Sequence, residues 1–190
     1  MIGKKNVVFG FLYLVLTAAL GPMMIINYFP AQAEAEAAKQ VQLGKLQETV
    51  GNDFLNENLE TMTAEQIAKT NSRALLGLSS RLNTDAPIAG ARNAHAHGNL
   101  EALLNIAVGF LLCFVAISTM FKQIISWMFI AGTILHSGLL YLAMGLELQW
   151  ALGLMAGPVA MAGPILVLTG LMLAGVAALL GFRGEIVRDW

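Results

Sequence analysis

The sequence contains a single cysteine, Cys113, which excludes an internal disulfide and a cysteine-based metal cluster. Charged residues are also scarce, at 12% of the chain, about half of the ~25% that is usual in soluble domains. The net charge is −1, with no basic stripe to neutralise phosphates, which argues against a nucleic-acid partner. Since 57% of the 190 residues are hydrophobic, the composition predicts a membrane protein whose main partner is the lipid bilayer.

Four apolar runs are long enough to cross a bilayer, for which about 20 residues are needed. The first lies within residues 1–29, and the others are predicted at about 98–121, 124–145 and 151–182. We therefore expect an all-α bundle of four transmembrane helices.

The end of the first run leaves an alternative open. Ala31-Gln-Ala33 resembles a signal-peptidase site, so residues 1–33 are either removed or retained. The apolar core of a signal peptide spans roughly 7–15 residues, and this run is longer. We expect the first helix to be retained.

Residues 30–94 form a long polar insert between the first and second transmembrane helices. The stretch from Ala33 to Val50 favours helix, and Thr63-Ala-Glu-Gln66 has the form of a capping box that opens a second helix. Turns are predicted at Gly51-Asn52 and at Asp85-Ala-Pro87. The insert is expected to be extramembrane and partly helical, either as a cap over a membrane site or as a passive loop.

The fourth span is rich in small residues. Gly153 and Gly157 form a GxxxG pair, which predicts close helix packing within or between subunits. Pro158 and Pro164 are expected to bend or loosen this helix near its outer end.

Basic residues beside the four spans predict the orientation. With four crossings they fall on one side, and the positive-inside rule assigns that side to the cytoplasm. Both termini are then cytoplasmic and the insert lies outside. The residues concerned are Lys4, Lys5, Lys122, Arg183 and Arg188.

The second span opens with polar residues, from Asn93 to Asn105, that lead into an apolar run. If a helix begins near His97, Glu101 and Asn105 follow at i+4 and i+8 on the same face, and His95 lies just outside the helix. Polar groups in a membrane span are costly and by default mark a functional site. These residues are the first candidates for such a site.

Each candidate also has a structural interpretation. For His95 and His97 it is an interfacial loop exposed to water. For Glu101 and Asn105 it is an interhelical hydrogen bond. Tyr141, in the third span, is either a site residue or a tyrosine of the interface belt.

The connection between the second and third spans is short, so the two form an antiparallel hairpin. A turn at Phe121 to Gln123 places Tyr141 within one helical turn of both Glu101 and Asn105.

The same hairpin places His136 level with Val108, about 11 residues or ~16 Å deeper than His97 at ~1.5 Å per residue. Because axial ligands of one haem lie at similar depth, this argues against His97 and His136 clamping a single iron. A neutral imidazole bonded to Thr133 or to a neighbouring helix is the expected state of His136.

The chain resembles the styrene oxide isomerase family, small four-span bacterial membrane proteins that bind haem b. The resemblance is carried by Ala94-His-Ala-His-Gly, by Leu104-Asn-Ile-Ala-Val-Gly-Phe, by Tyr141, by Ala162-Gly-Pro and by Leu171-Met-Leu-Ala-Gly-Val-Ala-Ala-Leu-Leu-Gly-Phe. It covers residues 91–182 and, loosely, the first span.

The resemblance implies haem between the subunits of a trimer in a bacterial inner membrane. It implies an axial ligand at His97, with His95 as second choice, and catalytic roles for Asn105 and Tyr141. In that family the open face of the iron binds the oxygen of an epoxide, and the resemblance implies conversion of a small apolar epoxide to a carbonyl compound. One imidazole and an empty, dry opposite face suit that chemistry.

The chain departs from the family at several positions. The family's third span carries an acid where this chain has Thr133, and here the acid is Glu101 on the second span. His136 and the insert also have no counterpart. These differences leave the substrate open, with Glu101 as a further catalytic candidate.

Two rivals to the isomerase remain. The first is an electron-transfer b-type cytochrome in which His95, His97 and His136 saturate one or two irons. The second is a membrane metal-binding or structural protein in which His95, His97 and Glu101 hold Zn or Cu at the outer interface.

Overall fold

The computed structural model describes residues 1–56 and 58–187. Over that part of the chain the regular structure is helical, with two isolated β-bridges. The third span continues past α4 through two π-helical turns, Ile134–Gly138 and Tyr141–Gly145. The α-helices are α1 (Gly3–Ala18), α2 (Leu20–Gly51), α3 (Ala64–Phe114), α4 (Thr119–Thr133), α5 (Gln149–Met155) and α6 (Val159–Gly181).

Within the described residues, four helical stretches are long and apolar enough to cross a membrane: Gly3–Gly51, Ala64–Phe114, Thr119–Gly145 and Val159–Gly181. They confirm the expected all-α bundle and the multi-pass membrane class. The chain divides into two compact units, one of Met1–Pro22 with the residues from Gly90 onward, the other of Met23–Ala89. The first unit contains the candidate site.

The core of the first unit joins α3, α4 and α6 through apolar side chains that include Leu112, Ile125, Phe129 and Ala177. Glycine brings α6 against the third span, because a Cβ on Gly163 would lie 2.5 Å from the backbone nitrogen of His136. Only a residue without a side chain allows this approach.

The predicted GxxxG pair, Gly153 and Gly157, does not bring helices of the described chain into close contact. A Cβ on Gly153 would meet no described atom within 4 Å, and one on Gly157 would meet only the carbonyl of Leu154. The close packing of the fourth span therefore occurs at Gly163 and Gly170, where Cβ atoms would meet His136 and Phe129.

The predicted turn between the second and third spans is wrong. α3 ends at Phe114 and α4 begins at Thr119, because the hydroxyl of Ser118 accepts a hydrogen bond from the backbone N–H of Phe121 at 3.3 Å and caps the new helix. Lys122, expected just beyond the second span, lies inside α4 with 1% of its surface exposed.

The span predicted at 151–182 is interrupted at Ala156–Pro158, between α5 and α6, near the end where the prolines were expected to bend or loosen it. Pro158 has no backbone N–H to donate and precedes α6, whereas Pro164 is accommodated within it. Arg188, one of the residues that predicted the orientation, lies outside the described residues.

The second unit is a helical hairpin. The helix predicted from Ala33 to Val50 is confirmed within α2, which ends at Gly51 as expected. The capping box is confirmed too: Thr63 N–H donates to Gln66 Oε1 at 2.7 Å, and Gln66 N–H donates to Thr63 Oγ1 at 3.3 Å.

Two boundaries predicted on α3 are wrong. The chain does not turn at Asp85 to Pro87, and no helix begins near His97, because α3 runs unbroken through both places. Pro87 is exposed on the helix surface, where its ring and missing N–H disturb the helix but do not end it. His95 consequently lies within a helix, not outside one.

Candidate functional site

The third span places His136 and Ser137 in its first π-helical turn, Ile134–Gly138. π-Helical turns are rare, but those that occur are often found at functional sites. The wider turn changes the direction of the side chains that follow. The close approach of Gly163 leaves the α6 backbone directly beside His136. The backbone of His136 is therefore packed closely against α6.

Glu101 of α3 is the centre of the site and has 4% of its surface exposed. Its Oε1 lies 2.5 Å from Nδ1 of His136, and its Oε2 accepts a hydrogen bond from Ser137 Oγ at 2.5 Å. Because a carboxylate oxygen accepts, Nδ1 of His136 carries the hydrogen. The ring of His136 is thereby fixed, with Nε2 as its second nitrogen.

Tyr13 of α1 extends this chain of hydrogen bonds. Its hydroxyl lies 2.9 Å from Ser137 Oγ. Because Ser137 has one hydroxyl hydrogen and gives it to Glu101, Tyr13 is the donor to Ser137. The carboxylate thus links side chains from three spans.

His97 and His136 are neighbours. Their ring centroids lie 5.0 Å apart with the planes at 67°, so the predicted separation of about 16 Å is wrong. The error follows from the turn, which lies several residues earlier than expected and brings His136 opposite Glu101 instead of Val108.

The three histidines differ in what their nitrogens do. His97 is exposed, and within the described chain its ring contacts His136 without a hydrogen bond. His95 Nδ1 donates to the carbonyl of Thr17 at 2.9 Å, and its Nε2 accepts from Asn99 Nδ2 at 3.2 Å. Both nitrogens of His95 are therefore engaged, while those of His97 are available.

Asn105 is fully buried and its amide is saturated. Nδ2 donates to Thr133 Oγ1 at 2.9 Å and to the carbonyl of Glu101 at 3.0 Å, and Oδ1 accepts from Asn6 Nδ2 at 3.1 Å. The interhelical hydrogen bond expected as the structural interpretation is present. It ties α1, α3 and α4 together beneath the carboxylate.

The polar residues of α1 were missed by the sequence analysis. Asn6 binds the carbonyl of Ser126 at 3.1 Å, and Thr17 donates to Asn99 Oδ1 at 2.8 Å. A signal was present, because the buried residues of α1 recur at alternating spacings of three and four, as a helix face does. They are Gly3, Asn6, Gly10, Tyr13 and Thr17.

Tyr141 lies in the second π-helical turn, five residues after His136, and is half-buried. Its hydroxyl forms no hydrogen bond with another side chain or backbone group in the described ranges. Tyr141 was predicted to lie within one helical turn of Asn105, and no hydrogen bond joins the two side chains among the described residues. Its hydroxyl remains available to a bound molecule.

A metal ion would need more ligands than these residues supply. Among residues 1–56 and 58–187, no three His, Cys, Asp or Glu side chains are grouped to hold one. His95 is engaged with Thr17 and Asn99, and Glu101 with His136 and Ser137. The alternative of a Zn or Cu site formed by His95, His97 and Glu101 is therefore not supported.

Comparisons with known proteins found no counterpart: no family model matches the chain, and no curated protein or solved structure matches it.

Proposed function

We propose that this protein is a haem b-dependent membrane isomerase that converts a small apolar epoxide to a carbonyl compound. The observation that carries the proposal is the exposed imidazole of His97, whose ring centroid lies 5.0 Å from that of His136, the histidine that is bonded to the buried carboxylate of Glu101. The assignment of the chemistry rests on the resemblance of residues 91–182 to the styrene oxide isomerases.

The histidines of this site include side chains that could bind the iron of haem. His97 offers an imidazole with both nitrogens uncommitted among the described residues. His136 is a second candidate, because its Nδ1 donates to Glu101 and leaves Nε2 to bind, an arrangement common among metal-ligating histidines. His95 fits less well, since ligation would break one of its two hydrogen bonds.

If haem were bound, its iron would supply a Lewis acid toward a lone pair of the substrate oxygen, and His97, or His136 in its place, would hold it. The chain's own residues then orient the substrate and exclude water. Tyr141 has an unused hydroxyl that donates a hydrogen bond to a substrate oxygen. The family carries an acid on its third span, at the position of Thr133. In this chain Glu101 supplies the carboxylate from the second span, because its Oε2 accepts a hydrogen bond from Ser137, which lies one turn after Thr133.

Asn105 acts in this proposal as a positioning residue. All of its polar atoms are used within the protein, and it holds Thr133 and the backbone of Glu101. A trimer in a bacterial inner membrane, with cytoplasmic termini and an external insert, completes the proposal.

The test is an absorption spectrum of the detergent-purified protein, reduced with dithionite, before and after carbon monoxide. A Soret band that shifts with carbon monoxide supports an open haem, and epoxide conversion by the same sample completes the test. Absence of any haem band overturns the proposal.

Three matched variants identify the ligand. His97→Ala should abolish the haem band, whereas His95→Ala should retain it. Loss of the band in His136→Ala alone would move the ligand to His136.

A second candidate function is an electron-transfer b-type cytochrome. The proximity of His97 and His136 favours it, because the depth argument against a shared haem no longer holds. Sharp low-spin bands that do not respond to carbon monoxide would select the cytochrome over the isomerase.

A further inference from the structure

Lys5 lies where α1 meets the beginning of the third span. Its ammonium donates a hydrogen bond to Gln123 Oε1 at 2.5 Å and lies 4.2 Å from the ring centroid of Trp127. Gln123 and Trp127 are four residues apart on α4 and therefore share one face of that helix. Within residues 1–56 and 58–187, no carboxylate is paired with Lys5. This lysine is therefore available to an anion from outside the described chain.

The same three side chains offer several hydrogen-bond donors. An ammonium has three N–H groups, of which Gln123 accepts one. Because Gln123 turns its oxygen toward Lys5, its amide N–H groups remain, and no acceptor for them lies among the described residues. The indole N–H of Trp127 also has no acceptor there, and 57% of this residue is exposed. Free donors around one positive charge suit the oxygens of a phosphate group.

Lys5 lies at the basic end of the membrane-spanning bundle. A Cβ on Gly3 would lie 3.2 Å from Cys113 Sγ, so α1 begins where α3 ends. Arg183 is held at that end too, because its backbone N–H donates to the carbonyl of Phe114 at 2.7 Å. Basic residues beside the ends of spans attract anionic lipid headgroups.

Apolar side chains continue from Lys5 toward the middle of the membrane. Phe9 and Leu12 follow Lys5 by four and seven residues on the same face of α1, and 69% of Leu12 is exposed. On the third span, Ile134 follows Trp127 by seven residues and is 51% exposed. Tryptophan is itself enriched at the level of the headgroups. A phospholipid would cover both the donors and the apolar residues, whereas a free phosphate ion would cover only the donors.

We propose that Lys5, Gln123 and Trp127 bind the phosphate of an anionic phospholipid, with its chains along α1 and the third span. Lys5 supplies the positive charge, and the amide and indole N–H groups donate hydrogen bonds. A phosphatidylcholine headgroup already carries a cation beside its phosphate, so the unpaired charge of Lys5 favours a lipid with net negative charge. The site is at the other end of α3 from His97, and it does not depend on the proposed haem chemistry.

Quenching of tryptophan fluorescence by brominated lipids tests the site. Trp150→Phe and Trp190→Phe leave Trp127 as the only tryptophan of the full chain. This protein is placed in phosphatidylcholine vesicles that contain a minority of phosphatidylglycerol, and equal amounts of one or the other lipid carry brominated chains. Salt at about 1 M shortens the screening length to about 3 Å and suppresses diffuse attraction. Brominated phosphatidylglycerol should quench Trp127 at least twofold more than brominated phosphatidylcholine.

Two neighbouring lysines provide the matched comparison. Lys5→Gln should abolish the excess quenching by phosphatidylglycerol, whereas Lys4→Gln, which removes the same charge from an exposed position, should preserve it. Lys5→Arg should also preserve it, because a guanidinium group binds phosphate and stacks on aromatic rings. Circular dichroism of each variant checks that the helix content is kept.

Three results would overturn the proposal. Equal quenching by the two lipids would show no selection for the anionic headgroup. Equal losses in Lys4→Gln and Lys5→Gln would show a general effect of surface charge. Release of the excess quenching by added inorganic phosphate would show a site for a free anion and not for a lipid.

Discussion

Glu101 and His136 are joined across the second and third spans by a hydrogen bond of 2.5 Å between Oε1 and Nδ1. The carboxylate is almost fully buried and also holds Ser137. One acidic side chain thereby determines which nitrogen of His136 remains for a ligand. Its replacement tests structure and function separately.

Glu101→Leu should destabilise the protein, because it leaves the N–H of His136 without an acceptor, at about 1–3 kcal/mol for the unsatisfied group, and leaves Ser137 only its longer hydrogen bond to the carbonyl of Thr133. Glu101→Gln keeps the shape and one strong acceptor and should fold normally. The proposed function predicts at least a tenfold loss of isomerase turnover in Glu101→Gln with haem retained. Thermal unfolding in detergent and haem content are the measurements. A Glu101→Leu variant as stable as the unchanged protein would contradict the structural role of Glu101.

Asn6 and Asn105 should be energetically coupled through their hydrogen bond of 3.1 Å. Interhelical hydrogen bonds in membranes contribute about 0.6 kcal/mol on average and at most about 1.7 kcal/mol, so the expected coupling lies in that range. A double-mutant cycle with Asn6→Ala and Asn105→Ala measures it by unfolding in mixed micelles. Strictly additive effects would show that the two amides do not support each other.

Gly163 and Gly175 lie on the same helix and should respond oppositely to alanine. A Cβ on Gly163 would clash with the backbone of His136, whereas one on Gly175 would meet no described atom within 4 Å. Gly163→Ala should therefore destabilise the protein by about 1–3 kcal/mol, and Gly175→Ala should be neutral or stabilising by up to about 1 kcal/mol. The unfolding midpoints of the two variants measure these changes in stability. A Gly163→Ala variant as stable as the unchanged protein would contradict the close packing of α6 on the third span.

The helical hairpin should weaken in acid because of Glu36. Hydrogen bonds from Lys39, Gln40 and Arg81 lower the pKa of Glu36 from 4.5 to about 2. The stabilisation is present in full above pH 4.5 and is lost as the pH falls toward 2. Since the cluster is on the surface, the loss should be small and should shrink further in high salt.

Glu36→Gln should make the stability of the hairpin less dependent on pH between 5 and 3. Amide hydrogen exchange in residues 23–89, corrected for intrinsic rates, measures this. Glu34→Gln, on an exposed position of the same helix, is the control. An identical pH dependence for Glu36→Gln and the unchanged protein would show that Glu36 does not contribute.

Hydrophobic run length predicts the number of spans well, because each crossing needs its own apolar segment whatever its partners. The same signal locates turns poorly when the connecting residues are apolar too. Between the second and third spans the decisive group is the hydroxyl of Ser118, which starts α4. At Asp85 to Pro87 the opposite occurs, since local turn residues are overridden by a helix that continues on both sides.

The sequence predicted only some of the residues of the candidate site. Glu101 and Asn105 stand out as polar residues in an apolar run, so the sequence identifies them directly. Their partners depend on how the second and third spans are aligned, and an error of a few residues in the turn separated His136 from His97. Asn6 and Tyr13 required attention to periodicity within α1, where polar residues share one buried face.

The π-helical turns of the third span make its chemistry depend on chain length as well as on residue identity. Deleting one residue between Ile134 and Gly138 would remove no functional group if a leucine or glycine were lost. It would nevertheless let the segment return to the tighter α-helical hydrogen bonding and so remove the wider turn that holds His136 and Ser137. The contacts of His136 and Ser137 with Glu101 would then change, so a deletion that removes no functional group would still alter the site.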